Sequence, residues 1–153
     1  MGLDMYLNAS RYLSDYHDAD KEKKKQLLQL FPELHSYLEE ERNPFREVNA
    51  EVCYWRKANA IHGWFVDNVQ SGEDDCKKYY VDRNHLEELR DLCNKVLADR
   101  TLAVDLLPSR SGFFFGNTDY DDWYFKDLEH TVDSLDKALK LPDGWAFDYQ
   151  SSW

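Results

Sequence analysis

The residues best suited to chemistry lie in the run Trp55-Arg56-Lys57-Ala58-Asn59-Ala60-Ile61-His62. Histidine exchanges protons near neutral pH, and asparagine offers two donors and an acceptor. Read as helix, spacings of four and three put Trp55, Asn59 and His62 on one face. A buried Asn or His must be hydrogen-bonded, because an unpaired buried polar group costs about 1–3 kcal/mol. One outcome is a polar network that fixes core packing. The other is a pocket with polar groups and aromatic walls. Trp55, Arg56, Asn59 and His62 would form it, joined by Phe114 of the Gly112-Phe113-Phe114-Phe115-Gly116 loop and by Arg110 just before that loop. Such a pocket suits a small, nucleotide-like ligand, with Arg110 available to an anionic group. An enzyme with His62 as acid–base group is a third reading. No nucleophile or second catalytic group stands at a diagnostic spacing, so no catalytic residue is assigned.

Other motifs are narrowed by what they lack. Asn117-x-Asp119-x-Asp121 begins like a calcium loop, but its sixth and twelfth places hold Asp122 and Leu128 where Gly and Glu are needed. Gly112-x-x-x-Gly116 has no following Lys-Ser/Thr, so it is no phosphate-binding loop. No metal or cofactor is expected. The three cysteines, Cys53, Cys76 and Cys93, contain no C-x-x-C pair. They suit a reducing cytosol, with Cys53 and Cys93 as small core residues on apolar helix faces.

The chain has 153 residues and carries 30 acids against 19 bases, a formal net charge of −11. That balance argues against direct nucleic-acid binding, which needs a surplus of cations, and against anionic membranes. The acidity is uneven: residues 1–100 hold 20 acids and 15 bases, and residues 101–153 hold 10 and 4. From Asp119 to Asp136 there are seven acids and one base, Lys126. Tyr120, Trp123, Tyr124 and Phe125 crowd the same stretch, so a helix there must expose some of them. Asp119, Tyr120, Asp121, Asp122, Trp123, Asp127 and Glu129 therefore read as a partner-binding face for a basic site on another protein.

These residues need elements to position them. Alternation in Leu3, Met5 and Leu7 predicts an N-terminal strand. Asp20 is expected to cap a helix through the lysine run 21–25, a solvated face, with Pro32 interrupting its apolar stripe. A long central helix is expected from Arg46 to Val69, on the spacing of Val48, Val52, Trp55, Phe65, Val66 and Val69. Lys77 to Val81 is β-prone, and Asp82 caps a regular amphipathic helix through Leu86, Leu89, Leu92, Cys93, Val96 and Leu97. The phenylalanine run reads as a short buried strand or a tight apolar loop. Thr118 is expected to cap an acidic helix through Tyr124, Leu128, Thr131, Val132, Leu135 and Ala138, with Asp119, Asp121 and Asp122 in its first turn. Pro142-Asp143-Gly144 stops that helix, and Trp145 to Tyr149 alternates as a strand. No 18-residue apolar stretch and no secretory signal is evident. The expected fold is α+β: one domain over residues 1–153, with a small, mainly antiparallel sheet, both terminal strands included, packed on about four helices.

Four segments, Met1–Leu7, Tyr54–His62, Gly112–Asp121 and Tyr149–Trp153, resemble a family of small proteins encoded by phages and prophages. The resemblance spans nearly the whole chain and is weakest from Ser14 to Arg46. It carries over no catalytic residues. It implies an accessory protein in a bacterial host cytoplasm, of the class that disarms host factors. The expected function is therefore non-enzymatic binding that inhibits a host defence or nucleic-acid-binding protein through the acidic aromatic face. Binding or sequestering of a small ligand is the alternative.

Overall fold

Strand pairing begins with the predicted alternation. β1 (Asp4–Tyr12) turns Met5, Leu7 and Ala9 inward at 0% exposure, while Asp4, Tyr6 and Asn8 stay half-buried. The computed structural model describes residues 2–40 and 42–153. Within it, β1 is followed by α1 (Asp18–Leu30), a 3-10 turn (Pro32–Tyr37) and β2 (Glu47–Arg56). Next come α2 (Asn59–Asn68), β3 (Tyr79–Val81), α3 (Arg83–Ala98), α4 (Ala103–Leu106), α5 (Asp122–Ala138) and β4 (Ala146–Ser152). The four strands form one sheet in the order β2-β1-β4-β3, and β3 runs antiparallel to β4 with Tyr79 opposite Tyr149 and Val81 opposite Phe147. The fold is α+β, and both terminal strands lie in the sheet.

The chain divides into two compact units, Met1–Ala9 with Glu51–Trp153, and Ser10–Ala50. The larger unit holds the core. Leu3, Met5 and Leu7 of the N-terminal stretch, Cys53 and Trp55 of β2, Ile61 and Phe65 of α2, Leu86 and Leu89 of α3, Leu128 and Leu135 of α5, and Tyr149 of β4 are all buried in it. α3 follows its predicted pattern, and Asp82 caps it by accepting from the Asn84 N–H at 2.8 Å. Cys93 is buried on α3 as expected.

The smaller unit combines apolar contacts with ion pairs. Leu13 and Leu28 are buried, and beside them the Asp15 carboxylate takes both Lys24, at 2.5 Å, and Arg46, at 2.6 Å. Those two cations hold the Asp15 carboxyl below its usual range, the Lys24 hydrogen bond being the largest cause. Two local expectations need correction here. Asp20 does not cap α1: the cap position is His17, and the Asp20 carboxylate turns back to the Ser14 N–H and Arg11. Lys24 is also no solvated lysine, because its stem is buried and its ammonium is neutralised by Asp15. The helix does end before Pro32, as its missing N–H requires.

The expected Arg46–Val69 helix is the main correction. Residues 47–56 form β2, and helix begins only at Asn59. The spacing of Val48, Val52 and Trp55 mimics a helix period, but Cys53 and Trp55 are buried while Tyr54 and Arg56 are exposed, which is period two. Pairing with β1 decides the matter, and just beyond the two strands the Lys57 N–H donates to the Leu3 carbonyl at 2.7 Å. Lys57 then turns the chain with φ of +60°. Trp55 and Cys53 are thus strand residues and share no helix face with Asn59 and His62.

Candidate functional site

The junction at Lys57 aims the N-terminus of α2 at the phenylalanine loop, and Asn59 joins the two. Its amide donates to the Phe115 carbonyl (3.1 Å) and the Asn117 carbonyl (2.8 Å), and its oxygen accepts from the Arg110 N–H (3.0 Å). One buried side chain therefore satisfies three backbone groups of the loop. The Leu3 N–H donates to the Phe114 carbonyl at 3.2 Å, adding a fourth tie. Gly112 makes room for Phe115, whose ring lies 2.6 Å from where a Cβ would stand. The run is neither a strand nor wholly buried. Phe115 is inside, Phe114 is half-buried, and Phe113 is 95% exposed.

His62 lies one turn deeper, fully buried. Its Nδ1 is 2.7 Å from the Tyr149 hydroxyl and its Nε2 is 2.9 Å from Asp74 Oδ2. Burial pushes the Tyr149 hydroxyl well above its usual range, so it remains an O–H donor. That assigns Nδ1 as acceptor and Nε2–H as donor to the carboxylate. Burial lowers the His62 pKa, and Asp74 opposes the shift. Trp55 is spent similarly: its indole N–H donates to Thr131 Oγ1 at 2.8 Å, and that hydroxyl donates to the Asp127 carbonyl. Arg110 pairs with Asp67 on α2.

A pocket of about 500 Å³ opens where the β2–α2 junction, the Ser109–Asn117 segment and the start of α5 meet. Arg56, Lys57 and residues 58–61 form one side; Asp119, Asp121, Trp123, Tyr124, Asp127 and Leu128 form the other. α5 starts later than expected. Asp121, not Thr118, is its cap and accepts from the Tyr124 N–H at 3.0 Å, while Asp119 precedes the helix. Asp127 sits one turn further on, and burial raises its carboxyl to about 6, with Asp121 adding to the rise and His130 opposing it. Trp123 is 72% exposed at the rim, with the Lys126 ammonium 4.6 Å from its ring centre.

Of the residues proposed for a ligand, Arg56 and Asn59 line this pocket, whereas Trp55, His62, Arg110 and Phe114 do not. Of those proposed for a partner, Asp119, Asp121, Trp123 and Asp127 line it, and Tyr120, Asp122 and Glu129 stand outside its lining. Tyr120 is partly exposed, its hydroxyl accepting from the Ser109 N–H at 3.2 Å. Members of both predicted groups, read as separate sites, therefore line one pocket, two from the first and four from the second. Sequence reasoning missed Lys57, Asn117 and Tyr124 in the lining and Asp74, Tyr149 and Thr131 behind it. Only tertiary contact brings these together, although the positive φ of Lys57 marks the turn. No helix among the described residues is long and apolar enough to cross a membrane. The thiols of Cys53 and Cys93 are pushed up by burial to about 12, so neither is a nucleophile at neutral pH. Comparison with family models, curated proteins and solved structures finds no match to this chain.

Proposed function

We propose that this protein acts by non-enzymatic binding, as an accessory factor of phage origin that occupies the basic site of a host protein in the bacterial cytoplasm. The observation carrying this reading is the pocket at the start of α5, where Asp119, Asp121 and Asp127 meet an exposed Trp123. A Lys or Arg side chain suits such a site. Its charge meets carboxylates, and its stem or guanidinium plane packs on an indole face. Asp122 and Glu129, exposed just outside, extend the negative field that steers a cationic partner. A host nucleic-acid-binding or defence protein offers such a basic surface, and masking it inhibits that protein. His62 is given no acid–base role in this reading, because both its nitrogens are committed inside the core.

A second reading rests on the opposite wall. Arg56 and Lys57 flank the start of α2, whose first turn has no side-chain cap and whose Ala60 and Ile61 line the pocket. Cations beside uncapped helix N–H groups favour an anionic group, and Trp123 favours a flat ring. A nucleotide-like ligand would use both.

The test is the affinity of a short Lys/Arg-rich peptide, with Asp119→Lys/Asp122→Lys as the variant. Asp121 is left intact because it caps α5. Binding weakened at least tenfold, and weakened again by added salt, is expected. Unchanged affinity in the variant contradicts the lead reading. A nucleotide that raises the melting temperature of the parent, but not of Arg56→Ala/Lys57→Ala, favours the second.

A further inference from the structure

The buried His62 is a junction between elements that the pocket does not use. Tyr149 reaches it from β4, Asp74 from the 69–78 loop, and the Phe115 ring packs against it at 5.1 Å and 87°. Trp153 closes the outer side, donating to Asp74 Oδ1 at 3.0 Å while its ring lies 6.3 Å from Phe115. The charged or titratable groups facing His62 are Asp74, Tyr149 and Arg110, the last tied to Asp67 of α2.

The hydrogen-bond arithmetic of this cluster closes for only one protonation state. With His62 neutral, Tyr149 O–H donates to Nδ1 and Nε2–H donates to Asp74, so every donor has an acceptor. A second proton on the imidazole must go to Nδ1. The Tyr149 hydrogen then loses its acceptor, in a residue with 0% exposure. The new positive charge also faces Arg110, which sits on the phenylalanine loop. Both effects arise at the His62 ring, which packs edge-on against Phe115.

We propose that Tyr149, His62 and Asp74 form an acid-sensitive lock, which holds the Arg110–Asn117 loop in place and loosens it when His62 takes up a second proton. The lock operates whatever fills the pocket, because it acts on the loop itself. Burial, which holds the His62 pKa below its ordinary value, supports the same direction.

The experiment follows the His62 imidazole and the amides of Phe114 to Asn117 by NMR and hydrogen exchange on the full chain, from neutral pH into mild acid. Loop exchange about tenfold faster is expected, with the same midpoint as His62 titration. Tyr149→Phe removes the donor that favours neutral His62 and should raise that midpoint. Asp74→Asn removes the carboxylate that favours the charged form and should lower it. His62→Gln should abolish the pH response of the loop. A loop that stays unchanged while His62 titrates overturns the proposal. So does a loop midpoint that neither Tyr149→Phe nor Asp74→Asn moves.

Discussion

At the scale of single residues, Asn59 and Asp127 do the most to define the pocket. The Asn59 side chain spends its three hydrogen bonds on the backbone of one loop. Asn59→Ala strands a part-buried N–H and two carbonyls, one of them buried, at a cost of about 2–3 kcal/mol. For a chain of this size that lowers Tm by roughly 5–10 °C; thermal unfolding measures it, and a drop under about 2 °C contradicts the clamp. Asp127 acts through pH. Its carboxyl ionises near 6 in the fold against an ordinary 3.8, so the folded state favours the neutral form. The linked stability is fully present below about pH 4 and is lost as pH rises through about 6. Asp127→Asn keeps a neutral group at every pH. It should raise stability near neutral pH by about 1 kcal/mol, after allowance for solvent screening, relative to its effect near pH 4. Unfolding curves at both pH values check this, and equal shifts would contradict it.

At the scale of elements, the loop from Arg110 to Asn117 is held by close packing on both flanks. A methyl at Gly112 would overlap the Phe115 ring, and that ring is wedged beside His62 and Trp153. Gly112→Ala should therefore cost about 1–3 kcal/mol and quicken exchange in the loop. An unaltered melting curve would show that Phe115 can yield. How far such elements were legible follows from the range of the forces that make them. α3, β3 and both terminal strands were readable because local pattern and capping agree with the tertiary fold. β2 was not: Val48, Val52 and Trp55 sit at helix-like intervals, and the deciding bonds come from β1, some fifty residues away. Reading β2 as helix placed Trp55 beside His62, whereas the structure gives Trp55 to Thr131 on α5. The start of α5 moved from Thr118 to Asp121 for a milder reason. Asn117 already caps its own turn by accepting from the Asp119 N–H at 2.9 Å, leaving Asp121 as the next acceptor. Six of the fifteen residues that line the pocket were expected as site residues, and those six were split between two supposed sites, because nothing local links Arg56 to Asp119.

At the scale of the whole molecule, three of the seven acids between Asp119 and Asp136 line the pocket, and the chain as a whole is acidic. With a net charge of −11, association with a cationic partner should slow as salt is added. Stopped-flow association with a Lys/Arg-rich peptide should show the rate falling between low and physiological ionic strength, and a salt-independent rate would remove steering from the account. If the pocket between the β2–α2 junction and α5 is the recognition site, chemical-shift mapping of the full chain titrated with that peptide will show it. The perturbed amides should gather at Lys57 to Ile61, Asn117 to Asp121 and Trp123 to Leu128, and Asp119→Lys/Asp122→Lys should suppress them. Perturbations confined to other surfaces, with these segments unmoved at saturation, would contradict it.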